Sequence, residues 1–262
     1  MTGLFVAVPY ARPFEAEFLE SLLFMHKPDE MYWSRVGFHP VAMARNILVE
    51  RFLKQDGCPE YLLFVDSDAT FAPESALRLM RYQLPMISGM IYKRRLPPIP
   101  AMGVDAGQNE EGYYLYDAGP VIQAVIKHVD RRLTPEDTGN AVCLTPGDDD
   151  LMEQDGVGMH FCLIRRDVFE GMKPPYFKEL VVGAGEDFYF SRKVKEAGYK
   201  IHVDLGLHTG HLAGPGVDFG LRELLAFYRH TNVIAEHPRW LIGGGNNDTG
   251  VFDWAGLPAR KS

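Results

Sequence analysis

A run of five apolar residues at positions 61–65 ends abruptly at Asp66-Ser67-Asp68. A short, wholly apolar run is typical of a strand that is buried on both faces of a sheet covered by helices. Similar runs occur at positions 4–8 and 86–90, with helical patterns between them. This alternation predicts a single α/β domain with a mostly parallel central sheet and helices on both faces.

Helices are predicted where apolar residues recur every three or four positions. Phe14, Phe18 and Leu22 mark the first helix, a second runs from about Val41 to before Gly57, and Pro73 favours a third helix start. Further strands are predicted at positions 113–116, 159–165 and 201–204, and further helices at 186–197 and 221–236.

The stretch at positions 96–150 has a different composition, rich in Pro, Gly and acidic residues. It predicts a small, irregular insertion with some antiparallel strand, in which Asp148-Asp149-Asp150 forms a solvated loop. We expect a nucleotide-binding half at about residues 1–95, an acceptor-side half at about 96–240 and a C-terminal tail at 241–262.

Charge and composition exclude several classes of protein. The net charge of −8 disfavours broad adhesion to nucleic acid, although Lys93-Arg94-Arg95 could line a local groove. Three widely spaced cysteines without a CxxC motif predict neither a disulfide framework nor a zinc site. The sequence contains no membrane-length apolar run and no signal-peptide pattern, which predicts a cytoplasmic protein without a membrane span.

Asp66 and Asp68 are two carboxylates that directly follow a predicted buried strand. Open α/β sheets bind ligands at the carboxyl ends of their strands. Hard divalent cations take one or two carboxylates together with phosphate oxygens and water. Asp and Ser also form turns and helix caps, but the position after a buried strand favours cation binding.

A second acidic pair, Glu186 and Asp187, opens a predicted helix. Asp187 falls on the same helical face as Phe190 and Val194, and therefore on the apolar stripe. A carboxylate there could complement the helix dipole, or it could act as a general base at the rim of a pocket. The pattern alone leaves both interpretations open.

Two histidines, His208 and His211, follow a predicted strand in a glycine-rich segment. A histidine is more often structural than a ligand, but imidazole and carboxylate together suit manganese or a similar ion. Gly156 and Gly158 precede another strand, where they could form a turn or let the backbone approach a ligand closely.

In their order, these segments resemble GT-A glycosyltransferases, closest to family 2 and its small stand-alone relatives in bacteria and phages. The matching segments are VAVPY, Ala44-Arg45-Asn46, Asp66-Ser67-Asp68, MISGMIYKRR, DGVGMHFCLIRRDVF, Gly185-Glu186-Asp187 and His211. The likeness spans roughly residues 4 to 212.

The resemblance implies a GT-A fold that transfers a sugar from a nucleotide-sugar donor, foremost a UDP-sugar, to an acceptor hydroxyl. The residues implied in binding the nucleotide-sugar are Pro9, Tyr10, Arg12, Arg45, Asp66, Ser67 and Gly158. The residues implied in holding Mn²⁺ or Mg²⁺ are Asp66, Asp68 and His211. Asp187 would be the base of an inverting reaction and Glu186 would position the acceptor, while a retaining reaction stays open.

Two kinds of acceptor stay open. One is a hydroxyl of a saccharide or related molecule, and the other is a hydroxymethylated pyrimidine in DNA, which phage glycosyltransferases modify. A different enzyme class also fits the segment LLFVDSDAT, because haloacid-dehalogenase-like phosphatases have a strand followed by DxDxT. Asp66 would then be the nucleophile and Asp68 the acid. A non-catalytic sugar-nucleotide-binding module is a further alternative.

Overall fold

The computed structural model describes residues 3–94, 99–129, 131–134, 137, 139–179, 185–214, 216–231 and 241–242. Its strands are, in chain order, β1 (Leu4–Tyr10), β2 (Met31–Gly37), β3 (Tyr61–Val65), β4 (Ala69–Thr70), β5 (Met86–Met90), β6 (Met102–Gln108), β7 (Tyr114–Asp117), β8 (Val142–Cys143), β9 (Leu151–Gln154), β10 (Gly156–Val157), β11 (Phe161–Arg165), β12 (Ile201–His208), β13 (Gly210–Gly214), β14 (Val217–Phe219) and β15 (Leu241–Ile242). Its α-helices are α1 (Ala16–Phe24), α2 (Val41–Leu53), α3 (Ser75–Arg81), α4 (Gly119–Ala124), α5 (Arg166–Glu170), α6 (Glu186–Glu196) and α7 (Leu221–Thr231). A π-helical turn (Val125–Val129) follows α4.

An eight-stranded sheet forms the centre of the fold, in the order β2-β1-β3-β11-β5-β12-β8 with β9 also paired to β12. Strand β1 runs parallel to β2 and β3, and β12 runs parallel to β5. Strand β11 is antiparallel to both of its neighbours, β3 and β5. The predicted α/β fold class is confirmed, and the reversed direction of β11 is a feature that the sequence pattern did not specify.

Both faces of β1 and β3 are buried, which explains why these two strands contain no alternation of polar and apolar residues. Phe5 and Ala7 of β1 belong to one hydrophobic cluster, which includes Phe52 of α2. Val6 belongs to a second cluster on the other face, which includes Phe18 of α1. Strand β1 is consequently packed against α2 on one face and α1 on the other.

The chain between β5 and β11 is more ordered than predicted. Strands β6 and β7 pair antiparallel within a four-stranded sheet, and the short helix α4 follows them. The predicted solvated loop is right for Asp148 and Asp149, which are exposed, but wrong for Asp150. Asp150 is buried because its carboxylate accepts hydrogen bonds from Arg78 and Arg132.

Two further predictions need correction or lie outside the described residues. His208 does not follow a strand but ends β12, where it is buried and its Nδ1 is 2.7 Å from the Tyr92 hydroxyl. Most of the C-terminal tail, at 243–262, lies outside the described residues. None of the helices that the structure describes is sufficiently long and apolar to cross a membrane.

Candidate active site

The Asp66-Ser67-Asp68 segment lies at the carboxyl edge of the central sheet, as predicted. Strands β1 and β3 are parallel neighbours, so Tyr10 and Asp66 reach the same edge. A cavity of about 170 Å³ lies there, and its lining includes Pro9, Tyr10, His39, Asp66, Ser67 and Asp68. Four of the predicted nucleotide-sugar-binding residues therefore share one cavity with Asp68.

The position of the Tyr10 ring depends on a glycine in the neighbouring strand. Tyr10 is paired with Gly37, and a Cβ atom on Gly37 would come within 2.2 Å of the Tyr10 ring. The rings of Phe14 and Phe38 make edge contacts with Tyr10, with centroids 5.2 and 5.4 Å away. Tyr10 is thus a fixed aromatic wall of the cavity.

His211 lies beside Asp68 because the chain returns to this edge as β13. Strand β13 pairs antiparallel with β4, which places His211 opposite Ala69 and next to Asp68. The Nδ1–H group of His211 donates to the carbonyl oxygen of Tyr92 at 2.7 Å. Its Nε2 atom then lies 3.6 Å from the Asp68 carboxylate.

His160 is a third side chain at this position, and the sequence analysis did not identify it. It precedes β11, and because β11 runs antiparallel to β3 its start lies at the carboxyl edge, where Asp66 N–H donates to the His160 carbonyl oxygen. The His160 Nε2–H group donates to the Gly210 carbonyl oxygen at 3.0 Å. Its Nδ1 atom lies 3.6 Å from both Asp66 and Asp68.

Asp68, His160 and His211 together can hold one metal ion. Their potential ligand atoms all lie within 4.8 Å of one another. Each imidazole donates one N–H group to a backbone carbonyl, which fixes the ring and directs the other nitrogen inward, as is usual for metal-binding histidines. The inward nitrogen of His160 is buried and has no hydrogen-bond partner, which fits a cation ligand.

Asp68 is surrounded by positive and polar groups. Arg94 donates a hydrogen bond to it at 2.8 Å, and Arg12 lies 3.9 Å away. Burial acts to raise the pKa of the Asp68 carboxyl, but His211, His160 and Arg94 outweigh burial and hold that pKa below its usual range. Asp68 is therefore ionised across the physiological pH range and available to a cation.

Arg45 is buried and forms ion pairs with residues of both acidic motifs. Its guanidinium is 3% exposed and lies 3.2 Å from Asp66, 3.2 Å from Asp187 and 3.6 Å from Glu186. The rings of Phe64 and Phe177 pack near it at 5.5 and 5.8 Å. Arg45 thus forms a buried bridge between these motifs, and its predicted contact with the nucleotide stays a prediction.

Glu186 and Asp187 occupy the first turn of α6, as predicted. The helix starts after Gly185, which adopts a φ of 92° that favours glycine. Phe190 and Val194 on the same helix are buried, so Asp187 lies at the start of the apolar face of α6. A Cβ atom on Gly158 would lie 3.7 Å from the Asp187 carboxylate, which places this predicted site residue beside Asp187.

The protonation of Glu186 differs from that of an ordinary glutamate. Burial, followed by the negative charge of Asp187, raises the pKa of Glu186, and the positive charge of Arg45 opposes this. An acid whose pKa is raised in the folded state stabilises the fold below its unfolded pKa, and this stability is lost as the pH rises through the folded pKa.

Glu186→Gln should therefore change the pH dependence of stability. Between about pH 4.5 and pH 8 the folded wild type keeps a proton that the unfolded chain releases, and above about pH 8 it carries a buried negative charge, whereas the variant has no proton to lose. We expect the variant to gain on the order of 1 kcal/mol over the wild type at about pH 9 relative to about pH 5. Urea unfolding at both pH values measures the difference, with Glu196→Gln at the exposed end of α6 as the control. A difference that does not change with pH would contradict the raised pKa.

Comparisons with known proteins identify the fold. No protein-family model matches the chain, and no curated protein sequence is detectably similar to it. Among solved structures, A197 from STIV is 14% identical, with 83% of this chain and 90% of A197 covered and a TM-score of 0.53. The chain shares its fold with A197. This likeness and the central sheet agree with the predicted α/β architecture.

Two further solved structures align over most of the chain, with lower TM-scores. A structure of GalNAc-T7 with UDP, GalNAc and Mn²⁺ is 12% identical, covers 87% of this chain and 48% of its own, and has a TM-score of 0.49. A structure of residues 1–349 of TarS from S. aureus is 13% identical, covers 89% of this chain and 64% of its own, and has a TM-score of 0.37.

Proposed function

We propose that this chain is a metal-dependent glycosyltransferase that moves a sugar from a nucleotide-sugar donor, foremost a UDP-sugar, to an acceptor hydroxyl. The observation that carries the proposal is that Asp66 and Asp68 line a cavity on the carboxyl edge of the sheet while His211 Nε2 lies 3.6 Å from Asp68. Ligands of open α/β sheets bind at this edge. The nucleotide-binding half at about 1–95 supplies the cavity, and the acceptor-side half supplies Asp187.

The donor would be bound by the cavity and by the cations beside it. Pro9, Tyr10 and Ser67 line the cavity and would contact the nucleoside. Arg12 and Arg94 lie against Asp68, from which they can reach a diphosphate by charge-assisted hydrogen bonds. A Mn²⁺ or Mg²⁺ ion held by Asp68 and His211 would act as a Lewis acid that stabilises the departing diphosphate.

Asp187 would act as the general base of an inverting reaction. The acceptor oxygen forms a bond to the anomeric carbon while the bond from that carbon to the diphosphate breaks. The electron pair of the broken bond leaves with the diphosphate, and the hydroxyl proton moves to the Asp187 carboxylate. Glu186, held beside Arg45, would position the acceptor.

The contacts of Arg94 bear on the choice between a saccharide acceptor and a DNA acceptor. A DNA acceptor needs basic residues that contact phosphates, and Lys93-Arg94-Arg95 was the candidate cluster. Arg95 lies outside the described residues. Arg94 instead bonds Asp68 and the carbonyl oxygen of Leu212, which holds its guanidinium at the carboxyl edge of the sheet rather than free for a DNA phosphate. We therefore propose a saccharide or related hydroxyl. Mass spectrometry of nucleosides from DNA containing hydroxymethylpyrimidines, after incubation with donor, would detect a hexose-sized gain if DNA is the acceptor.

A thermal-shift screen of nucleoside diphosphates with and without Mn²⁺ tests the proposal. A ligand at about 100 times its Kd stabilises a protein by about 2.7 kcal/mol. This corresponds to roughly 5–10 °C in Tm for a chain of this size. We expect such a rise for UDP with Mn²⁺ and little change with EDTA. If no nucleoside diphosphate raises the Tm with any divalent cation, the proposed function is wrong.

Asp68→Ala should abolish the metal-dependent part of nucleoside diphosphate binding, because its carboxylate is the central anionic ligand. His211→Ala should weaken binding less completely, since water can replace one ligand. Isothermal titration calorimetry of UDP with Mn²⁺ measures both losses, and Asp137→Ala in the insertion serves as the control. If the wild type has equal UDP affinity in EDTA, the role of the metal is contradicted.

A further inference from the structure

We propose that His160 is a third protein ligand of the metal site, so that the ion is bound by two imidazoles and one carboxylate. This inference rests on the proposed function, because it concerns the same cation. It adds a ligand from the segment before β11, to which neither Asp66-Ser67-Asp68 nor His211 belongs. It also predicts which ions the site prefers.

The first argument is the state of the His160 ring. The side chain is 3% exposed, and its Nε2–H group is fixed by the Gly210 carbonyl oxygen. In the neutral ring, Nδ1 therefore carries a lone pair, and this buried atom has no hydrogen-bond partner. A buried polar atom without a partner is costly, and a cation at this position removes the cost.

The second argument concerns the groups that the Nδ1 atom of His160 faces. Carboxylate oxygens of Asp66 and Asp68 lie 3.6 Å from it, so a lone pair points at two anionic acceptors. Such an arrangement repels unless Nδ1 is protonated or a metal cation lies between the groups. Burial lowers the pKa of His160, but Asp66 and Asp68 outweigh burial and raise it, so a metal cation would take the place of that proton. The Nε2 atom of His211 approaches the other Asp68 oxygen at 3.6 Å, and the two imidazole rings are 4.2 Å apart. Both inward nitrogens thus face the same carboxylate.

The third argument is the match between the two histidines. Each ring is held by a backbone carbonyl, Gly210 for His160 and Tyr92 for His211. These carbonyls belong to segments that follow β12 and β5, so two strand ends of the central sheet orient the two ligands. Outer partners of this kind fix the tautomer and raise the basicity of the bound nitrogen.

The ligand set has a consequence for ion selectivity. Imidazole nitrogen suits Zn, Fe, Ni and Cu, whereas Mg²⁺ prefers oxygen ligands and water. Two histidines and one aspartate therefore favour ions such as Co²⁺ and Zn²⁺ over Mg²⁺. Three preorganised protein ligands should also bind the ion before any nucleotide is present.

Titration of the nucleotide-free protein with Co²⁺, followed by visible absorption, tests the proposal. We expect one bound Co²⁺ that a roughly hundred-fold excess of Mg²⁺ does not displace. His160→Gln should weaken binding at least about tenfold, because even loss of an outer partner typically costs 10- to 100-fold. His202→Gln, which removes a histidine at the start of β12, should leave binding unchanged. Thermal unfolding in EDTA shows whether each variant is folded.

A measurement on the wild type covers the case in which His160→Gln does not fold. Nitrogen-15 NMR of histidine-labelled protein with Zn²⁺ should show one histidine bound through Nδ1 and another through Nε2, the pattern that His160 and His211 present. A single perturbed histidine would overturn the inference.

The controls separate this inference from the proposed function. If Asp68→Asn and His211→Gln lose Co²⁺ while His160→Gln retains wild-type affinity, His160 is only a charged neighbour and the inference is wrong. The proposed metal-dependent function would stand. If the wild type binds no ion even with UDP present, the metal site of the proposed function is wrong as well.

Discussion

Asp187→Asn is expected to lower kcat by about 10²- to 10⁴-fold, the usual cost of losing a positioned general base. The asparagine has the same shape, so the first turn of α6 and its approach to Arg45 should survive. The amide cannot take the hydroxyl proton. The donor is bound at the cavity by Asp68 and its neighbours, so UDP affinity should stay within about threefold of the wild type.

The measurement is steady-state release of UDP from the preferred UDP-sugar with a saturating acceptor. Glu196→Gln on the exposed end of the same helix is the matched control, and it should keep full kcat. If Asp187→Asn retains near-normal kcat, another group is the base or the reaction is retaining.

Arg45→Met is expected to destabilise the fold by about 3–5 kcal/mol, the range measured when one partner of a buried ion pair is removed. Methionine fills much of the same volume between Phe64 and Phe177, so lost packing contributes little. The loss arises because Asp66, Glu186 and Asp187 would face one another without the charge that separates them. Burial would lower the pKa of Arg45, but these carboxylates outweigh it and raise that pKa above its usual value.

Urea unfolding measures the loss, and Arg51→Met on the exposed side of α2 should cost no more than about 0.5 kcal/mol. Combining Arg45→Met with Asp66→Asn removes one of the uncompensated charges and should recover part of the stability. A loss below about 1 kcal/mol for Arg45→Met, or no recovery in the double variant, would show that the bridge is not a buried charge network.

The sequence predicted the parts of the site that depend on short-range patterns. An apolar run that stops at two aspartates identifies a strand end, and the order of motifs joined Asp68 to His211. The cavity and the contact between Asp68 and His211 agree with that prediction. The first turn of α6 also carries Glu186 and Asp187 where the apolar stripe placed them.

The sequence did not reveal the features that depend on strand direction. His160 precedes its strand, and in a parallel strand it would lie at the opposite edge of the sheet. Only the antiparallel direction of β11 brings it to the carboxyl edge, and apolar runs carry no information on direction. Arg45 shows the same limit, because helical spacing does not tell which carboxylates a side chain on α2 meets. A histidine between a glycine segment and an apolar strand was the available signal for His160.

One contact that the sequence could not show argues against the haloacid-dehalogenase-like phosphatase alternative. A phosphatase nucleophile at Asp66 must be free to attack a phosphorus atom. The Asp66 carboxylate instead accepts hydrogen bonds from the Arg45 guanidinium with both oxygens, at 3.2 and 3.3 Å. This contact disfavours a nucleophilic role for Asp66, and trapping of a phospho-aspartate at Asp66 would contradict that conclusion.

The release of UDP from UDP-sugars by the purified protein, with Mn²⁺ and a mixture of saccharide acceptors, tests the central claim most directly. Metal-dependent glycosyl transfer predicts that UDP accumulates with Mn²⁺, that EDTA stops its release, and that Asp68→Ala stops it while remaining folded. The claim would be contradicted if the folded wild type turned over no nucleotide-sugar with any divalent cation, or if release continued unchanged in EDTA and in Asp68→Ala.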